Sequence, residues 1–539
     1  MDAVGGVSED CPARLAEVLA ALSLGIDVGF GQPMGHVLRL CRIALRLAEL
    51  TGADPGTRAA AYHAALLVNV ACHGDGHELT RWFGDDIAVL SGKYDHEPFS
   101  VREVVAMLAM LGAGAPPAHR IRVAFDFAAG GRKELDGMIA GHAQNARTLG
   151  EWLGLPPPAL AAVAASYERW DGRGWPGKLS GDQIPAAARL VMLAEYVEVA
   201  HRAGGLEGAV ALARRRSGSQ FDPGLVAVLC ADPGKVFGGI EDLSSWEAVV
   251  DGEPALAVRL TAEECDAALA AVGAFADLKS PYRLGHSEAL AALVTGAAAR
   301  LELPPPEVRL VRRAALVSAF GRLGVSSAVW GKPGPLTAGE WERVRLHPLL
   351  TERMLRQSSG LAEVGRLAAM HTERLDGSGY PHGLYGAALP MTARLLAAAD
   401  TYQAMREPRP YRPALDAAAS AAELRRESQA GRLDGTAVEA VLGAAGHRVR
   451  RRREGPAGLT ARETEILRLI AQGTTARDVA GRLFISQKTV ATHIEHIYAK
   501  TGATNRATAS LFAMRHGLLP EEGQPGPGDH PPAPFRSSR

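Results

Sequence analysis

Apolar residues recur along most of the chain at the spacing of one face of a helix. Near the C-terminus, for example, Val490, Ile494 and Ile497 follow one another at i, i+4 and i+7. Alanine, leucine and glycine are frequent throughout, and only 5% of the residues are aromatic. This composition favours packed helices over sheets. We therefore expect an all-α protein.

The chain contains an internal repeat. The segment 170–196, WDGRGWPGKLSGDQIPAAARLVMLAEY, returns as LDGSGYPHGLYGAALPMTARLLAAADTY at 375–402. Corresponding residues are Glu168 and Glu373, Asp171 and Asp376, Pro176 and Pro381, Glu195 and Asp400, His142 and His347, and, at a larger offset, His36 and His286. The change of offset predicts an insertion in the first copy between His73 and His142.

Composition shifts divide the chain into six parts. They are the first repeat at 1–232, a connector at 233–255, the second repeat at 256–447, a basic linker at 448–458, a small helical unit at 459–519, and a Pro- and Gly-rich tail at 520–539, which we expect to be disordered.

Helix-capping signals define the small unit. Thr460 and Glu463 form a capping box that opens its first helix, and Gly473 ends that helix. Thr475 can cap a second helix and Ser486 a third. The predicted order is helix, helix, tight turn, helix.

This unit, LTARETEILRLIAQGTTARDVAGRLFISQKTVATHIEHIYAKTGATNRATASLFAMRHGLL, resembles the LuxR-type helix-turn-helix domain along its full length. The resemblance implies that Ala491, Thr492 and Glu495 face the bases and that the chain binds DNA as a homodimer. We predict a DNA-binding set of Gln487, Lys488, Thr489, Ala491, Thr492, His493, Glu495, His496, Lys500 and Arg506. A helical bundle that mediates only protein contacts is the alternative.

Charge is concentrated where this motif lies. The whole chain has 59 basic and 59 acidic side chains, whereas residues 448–515 carry thirteen Lys and Arg against five Asp and Glu. Each Lys or Arg that contacts a phosphate adds salt-sensitive affinity through counterion release. The predicted partner is therefore double-stranded promoter or operator DNA.

The second repeat resembles the HD-GYP branch of the HD phosphohydrolases. The resemblance is carried by HTERLDGSGYPHGLYGAALPMTARLLAAADTYQAM at 371–405, by GKPGPLT at 331–337 and by RPYR at 409–412. It implies a helical domain in which clustered His and Asp ligands hold two or three metal ions that activate water against a cyclic dinucleotide. Through the repeat, the first copy is assigned to the same superfamily.

The metal ligands implied by this resemblance are incomplete in both repeats. The second repeat keeps His347, His371 and Asp400, but Ser318 and Ala319 replace the His-Asp pair, Arg322 replaces the following lysine, and Thr372 replaces a histidine. The first repeat keeps His142 and the entrance histidine His36, but has Val68, Asn69, Ser166, Tyr167 and Glu195 at the other positions. Such substitutes cannot hold a di-metal centre as imidazole and carboxylate do.

We therefore predict no catalytic residues and no obligatory cofactor. His347, His371 and Asp400 are the residual candidates for a single divalent ion; otherwise they are polar groups hydrogen-bonded inside the bundle. His73, His77 and Glu78 resemble a metal-binding cluster. The segment that holds them contains two glycines, which favours a loop over a metal site.

The leading hypothesis is a DNA-binding transcriptional regulator whose two degenerate HD-GYP-like domains form a sensory or dimerisation module for a small-molecule or nucleotide ligand. One alternative is a metal-dependent cyclic-dinucleotide phosphodiesterase or nucleotide phosphohydrolase fused to a DNA-binding output domain. Another is a pure interaction scaffold.

Cysteines and apolar segments indicate the compartment. The five cysteines are scattered and form no C-x-x-C pair, which argues against a disulfide framework or a zinc module. Neither a signal peptide nor an apolar run of about 18 residues is present in the sequence. We expect a cytoplasmic protein with no membrane partner.

Overall fold

The computed structural model describes residues 13–95, 101–240, 245–252, 259–448, 456–483, 485–516 and 518. The chain forms two compact units, residues 1–449 and 450–539. The described residues form helices, with isolated β-bridges but no strands. The predicted all-α fold is confirmed.

The described residues of the first repeat and the connector form thirteen α-helices. They are α1 (Leu15–Gly29), α2 (His36–Leu50), α3 (Pro55–Leu66), α4 (Gly76–Phe83), α5 (Asp86–Ser91), α6 (Val101–Met110), α7 (Pro117–Asp126), α8 (Arg132–Trp152), α9 (Pro157–Ala164), α10 (Ala186–Arg215), α11 (Pro223–Ala231), α12 (Pro233–Phe237) and α13 (Ser245–Val250).

The second repeat contains α14 (Ala262–Asp277), α15 (His286–Arg300), α16 (Pro305–Val317), α17 (Ser327–Trp330), α18 (Ala338–Leu355), α19 (Ala362–Ala369), α20 (Met391–Arg406), α21 (Ala417–Gln429) and α22 (Gly435–Ala444). Its short 3-10 helices include Phe320–Gly324 and Met370–Thr372.

The two repeats build their entrances in the same way. Gly35 and Gly285 both have positive φ and directly precede α2 and α15. A buried aspartate fixes each turn: Asp27 accepts the Gly35 and Val37 N–H groups, and Asp277 accepts the backbone N–H and the hydroxyl of Ser287. The repeat is therefore structural as well as sequential.

The repeats share one hydrophobic core, which extends from α1 through both copies. Where α1 meets the second repeat, Gly25 lies so close to Phe320 that an added Cβ would be 2.6 Å from the ring. A larger side chain at position 25 would therefore force the two repeats apart.

Helices α4 to α7 lie between His73 and His142, in the region where the sequence predicts an insertion. In the second repeat, which is described without gaps over 259–448, α17 alone lies in the corresponding stretch before α18 begins. The insertion has a small core of its own, which includes Trp82, Phe83 and Phe127. The candidate cluster at His73–Glu78 is not a loop, because a 3-10 helix at Val70–Asp75 runs directly into α4.

The C-terminal unit consists of α23 (Ala461–Ala471), α24 (Ala476–Leu483), α25 (Gln487–Thr501) and α26 (Arg506–Arg515). The predicted caps are confirmed: Thr460 and Glu463 form a capping box, and the hydroxyls of Thr475 and Ser486 accept the N–H groups of Asp478 and Thr489. Of the described helices, none is both long and apolar enough to cross a membrane.

Candidate functional site

His347 and His371 form the centre of the site in the second repeat. Each buried ring places its Nδ1 against a backbone carbonyl, His347 on Val344 at 2.6 Å and His371 on Ala368 at 2.8 Å. Because a carbonyl only accepts, Nδ1 carries the proton in both rings. The two Nε2 atoms, 3.2 Å apart, therefore face each other with lone pairs available for a shared proton or cation.

Burial lowers the pKa of both histidines, and the pKa of His347 lies well below its usual range because His371 and Arg322 add to the effect. Both rings are neutral at pH 7. A neutral imidazole is the form that binds a metal ion.

Asp400 lies next to His286 on the other side of the site. The Nε2 of His286 is 3.2 Å from Asp400, and its Nδ1 is 2.7 Å from Glu407. Burial alone would raise the pKa of Asp400, but its bond to His286 and the charge of Arg283 hold it well below its usual range. Glu407, also bonded to His286, has its pKa lowered to about 2. Both carboxylates are ionised.

Arginines add positive charge to this site. Arg322 stacks on Trp330, with its guanidinium carbon 3.4 Å from the ring centre. Burial, together with the charges of Arg283 and Arg409, lowers the pKa of Arg322. Several cations thus lie around Asp400 and the histidine pair.

Residues at the lost ligand positions are engaged with the backbone. The hydroxyl of Ser318 donates to the Ala315 carbonyl at 3.0 Å, and that of Thr372 donates to the Tyr380 carbonyl at 2.6 Å. Ala319 has no ligand atom. Within the described ranges, no group of three or more His, Cys, Asp and Glu side chains converges as a metal site. The assignment of His347, His371 and Asp400 to one ion stays a prediction.

In the first repeat, a lysine ammonium lies at the corresponding centre. Lys93 Nζ donates to Glu195 and to the side-chain oxygen of Asn69, both at 2.7 Å. The hydroxyl of Tyr94 donates to the same Glu195 oxygen at 2.8 Å. Burial would raise the pKa of Glu195, but Lys93 and these donors keep it below its usual value. The result is a buried, paired carboxylate.

Next to this pair, Cys72, His142 and Asp75 form a chain. Cys72 Sγ is 3.4 Å from His142 Nδ1 and 3.0 Å from the Tyr167 hydroxyl, while His142 Nε2 contacts Asp75. Burial alone would lower the pKa of His142, but Cys72 and Asp75 raise it to about 10. This imidazole is therefore protonated at pH 7, unlike His347.

The glutamates shared by the repeats have a structural role. Glu373 accepts the N–H groups of His382 and Leu384 at 2.8 and 3.0 Å, and Glu168 accepts that of Lys178 at 3.0 Å. Each glutamate thus holds the turn that contains the repeated Pro. This structural role explains why both repeats share these residues, with no need for a catalytic role.

A cavity of about 570 Å³ lies beside the first-repeat centre. Its polar wall includes Cys72, Asp75, Lys93, His142 and Arg169. Apolar side chains of the insertion form much of the remainder, among them Leu79, Phe83, Met107 and Met110. A cavity of this size can hold a drug-sized molecule.

The C-terminal unit presents the predicted DNA-reading face on α25. Val490 and Ile497 are fully buried, whereas Ala491, Thr492 and Glu495 are exposed. Also exposed are Gln487, Lys488, Thr489, His496, Lys500 and Arg506, while His493 is half-buried. The arrangement leaves one face of α25 free for a groove.

Two residues of the predicted DNA-binding set also hold the unit together. Lys500 Nζ is 2.8 Å from Glu463, and Arg506 Nε donates to the Ile470 carbonyl at 2.8 Å. Their contacts with DNA stay predictions.

Sequence reasoning missed Lys93, Cys72 and Asp75 as parts of the first site. Asp75 lies in the glycine-containing segment from His73 to Glu78, for which the sequence predicts a loop, and Cys72 directly precedes that segment. Lys93 lies in the insertion, which has no counterpart in the second repeat. The sequence offered one signal: Glu195 stands where the family has an aspartate, and a buried carboxylate at this position needs a positively charged partner.

Comparison with known families identifies two regions. Residues 272–437 match the model of the HD domain, and residues 457–513 match that of the bacterial regulatory proteins of the luxR family. These matches confirm the resemblances found in the sequence of the second repeat and the C-terminal unit.

Relatives match the larger unit. The 3'3'-cGAMP-specific phosphodiesterase 3 of Vibrio cholerae is 28% identical over 407 residues, 74% of this chain and 88% of the relative. The cyclic di-GMP phosphodiesterase response regulator RpfG of Xanthomonas campestris is 40% identical over 148 residues, 27% of this chain and 39% of the relative.

Among solved structures, a cyclic GMP-AMP-specific phosphodiesterase of V. cholerae matches with a TM-score of 0.56 and 24% identity, over 80% of this chain and 98% of that one. This likeness supports the helical fold. The chain carries an HD domain followed by a C-terminal LuxR-family helix-turn-helix domain.

Proposed function

We propose that the chain is a DNA-binding transcriptional regulator whose larger unit senses a small molecule, and that the second repeat receives a cyclic dinucleotide without two-metal hydrolysis. The observation that carries this proposal is that one chain has a helix-turn-helix domain with an exposed face on α25 and also has Ser318 and Ala319 at the position of the His-Asp pair. Ser318 is buried and bonded to the backbone, and Ala319 offers no ligand.

Charge at the second-repeat site supports an anionic ligand. Arg283 and Arg409 lie close enough to Arg322 to lower its pKa. Guanidinium groups bind phosphate oxygens through paired hydrogen bonds. The names of the relatives, which act on cyclic di-GMP or cGAMP, make a cyclic dinucleotide the first ligand to test.

DNA binding is assigned to α25 in a homodimer. Footprinting on the chain's own promoter region, with and without cyclic di-GMP or 3'3'-cGAMP, tests the whole proposal. We expect a footprint that the dinucleotide shifts or abolishes. No footprint under either condition would overturn the regulator assignment and favour a scaffold.

A double variant tests the base readout. Thr492→Ala with Glu495→Ala should weaken binding to the promoter at least tenfold, while thermal unfolding is unchanged because both side chains are exposed. Met514→Ala, an exposed substitution on α26, is the matched control. Unchanged promoter preference in the double variant would remove α25 from the readout.

The facing Nε2 atoms of His347 and His371 favour a second candidate function, a metal-dependent phosphodiesterase. In that case His347, His371 and Asp400 would hold one ion, which when bound polarises a phosphoryl oxygen. The metal content of the purified chain distinguishes the two candidate functions. The phosphodiesterase would replace the sensing proposal if the wild type held near-stoichiometric metal and hydrolysed cyclic di-GMP, and if both His347→Ala and His371→Ala lost the metal.

A further inference from the structure

Lys93 bonds the two residues that stand at acidic metal-ligand positions in the first repeat. Asn69 corresponds to the Asp of the His-Asp pair, and Glu195 corresponds to Asp400. The Nζ atom donates to both at 2.7 Å, and the Glu195 side chain is 1% exposed. A buried carboxylate needs a positive partner, and here the partner is part of the chain.

Three tyrosine rings surround the same ammonium. Their centres lie 5.5, 5.3 and 5.6 Å from Lys93 Nζ for Tyr94, Tyr167 and Tyr196. Ring faces attract an ammonium through the quadrupole. They are not ligands for a divalent ion, which requires several oxygen or nitrogen atoms within about 2.6 Å. The surroundings therefore suit the lysine better than a metal.

The cavity beside Lys93 has paired charges and apolar walls. Glu195 neutralises Lys93, and Asp75 contacts His142. The insertion and α8 contribute Leu79, Phe83, Met107, Met110 and Met138 to the wall. Methionines adapt to ligands of varied shape. The volume of about 570 Å³ and this lining suit an aromatic or aliphatic body more than a phosphate group.

We propose that the Lys93 ammonium replaces the divalent cation in the first repeat, which makes this repeat a metal-independent pocket for an apolar organic molecule. The proposal does not depend on whether the chain regulates transcription, because it concerns only the first-repeat site.

The first test is the number of Mn²⁺ ions bound per chain, measured by equilibrium dialysis for the wild type and for Glu195→Gln. Gln keeps the shape of the side chain and removes its charge. The two proteins should bind the same number of ions. Loss of one ion in Glu195→Gln would overturn the proposal. If this variant does not fold, Asn69→Ala is compared in the same way, and His371→Ala reports any ion held by the second repeat.

The second test uses 1-anilinonaphthalene-8-sulfonate, a probe with an aromatic body, and follows its fluorescence. We expect one site per folded wild-type chain, and at least a tenfold loss of affinity in Met110→Trp, because the larger ring fills the cavity. Leu284→Trp, at an exposed position of the second repeat, is the control and should leave binding unchanged.

Either of two results would contradict the pocket. One is equal binding by the wild type and Met110→Trp; the other is no binding to the folded wild type. The thermal unfolding temperature of each variant shows whether a change in fluorescence reflects the site or partial unfolding.

Discussion

In the first repeat, Glu195 is neutralised by the ammonium of Lys93, whereas its counterpart in the second repeat, Asp400, is met by the imidazole of His286 and lies near guanidinium groups. Both repeats keep the same entrance turns and the same glutamate-held loops. One backbone framework thus supports two different charge arrangements, because buried carboxylates outside the two charge clusters fix its turns by accepting backbone N–H groups.

The largest effect is expected at the contact between the repeats. Asp86 on α5 pairs with Lys279 at 2.5 Å, and both side chains are almost fully buried. Asp86→Ala leaves the lysine charge buried and unpaired, and should lower the free energy of unfolding by about 3–5 kcal/mol, measured by urea denaturation.

The control is Asp251→Ala, which removes an exposed pair with Arg14 at 2.8 Å. An exposed pair contributes at most about 1 kcal/mol. Similar losses in the two variants would show that burial at Asp86 does not set the energy of this contact, and the repeats would then be held mainly by apolar packing.

Removal of the ammonium sharpens the contrast between Glu195 and Asp400. Lys93→Met keeps the length of the side chain but leaves Glu195 without its cation, and should cost about 2–4 kcal/mol at pH 7, somewhat less than a fully buried pair. In the wild type, the lowered pKa of Glu195 stabilises the fold above the carboxyl pKa of the unfolded chain.

This stabilisation is lost as the pH falls through the folded-state pKa, and the variant can protonate Glu195 instead. The difference between wild type and Lys93→Met should therefore shrink from pH 7 towards pH 4 in denaturation experiments. The double variant Lys93→Met with Glu195→Gln should recover part of the loss. A constant difference across this range would mean that Glu195 carries no charge.

The corresponding histidines should respond to pH with opposite sign. His142 has its pKa raised to about 10, so it stabilises the fold fully below about pH 6.5, the unfolded value, and this contribution is lost as the pH rises towards 10. His347 has a lowered pKa, so the unfolded state takes up its proton first, and stability on this account is lost below about pH 6.5.

The measurement is unfolding free energy against pH, with chelator present, for the wild type, His142→Gln and His347→Gln. The stabilisation due to His142 should fall by about 1 kcal/mol per pH unit above pH 7, and that due to His347 by a similar amount per unit below pH 6. If the stabilisation due to His142 and that due to His347 changed with pH in the same direction, the electrostatic distinction between the repeats would be wrong.

The smallest effect is expected for Arg322→Lys. The change loses the stacking of the guanidinium on Trp330, worth about 0.5–1 kcal/mol, and keeps the positive charge. We expect a shift of a few degrees at most in thermal unfolding and no hydrolysis of cyclic di-GMP. Hydrolysis by this variant would show that the second repeat lacked only a lysine.

Local patterns were sufficient to predict the helical fold, the repeat and the caps of the C-terminal unit. Helical periodicity and capping depend on residues three or four apart, as at Thr460 and Glu463. The lost ligand positions were identified through the resemblance to the HD-GYP family, since neither repeat has the His-Asp pair. The DNA-binding set and the single-ion assignment at His347, His371 and Asp400 stay predictions.

The chemistry that replaced those ligands could not be predicted. Lys93 reaches Glu195 across 102 positions of the chain, and Lys279 reaches Asp86 across 193. Such pairs are formed by tertiary packing and leave no periodic signal in the sequence. His73 shows the opposite case, in which a sequence signal has no matching site. It lies in a segment that resembles a metal-binding cluster, but its ring packs edge-on against Phe30 and Phe275 in the shared core.

Asp86 also connects the wall of the first-repeat cavity to the second repeat. Its carboxylate accepts hydrogen bonds from Ser326 and Ser327, just beyond Arg322, while Val89 and Leu90 on the same helix line the first-repeat cavity. A molecule that displaces α5 must therefore strain the segment that follows Arg322. Coupling between two binding sites is reciprocal, so if α5 moves on binding, a molecule in the first-repeat cavity and one at the second-repeat site would change each other's affinity by the same factor.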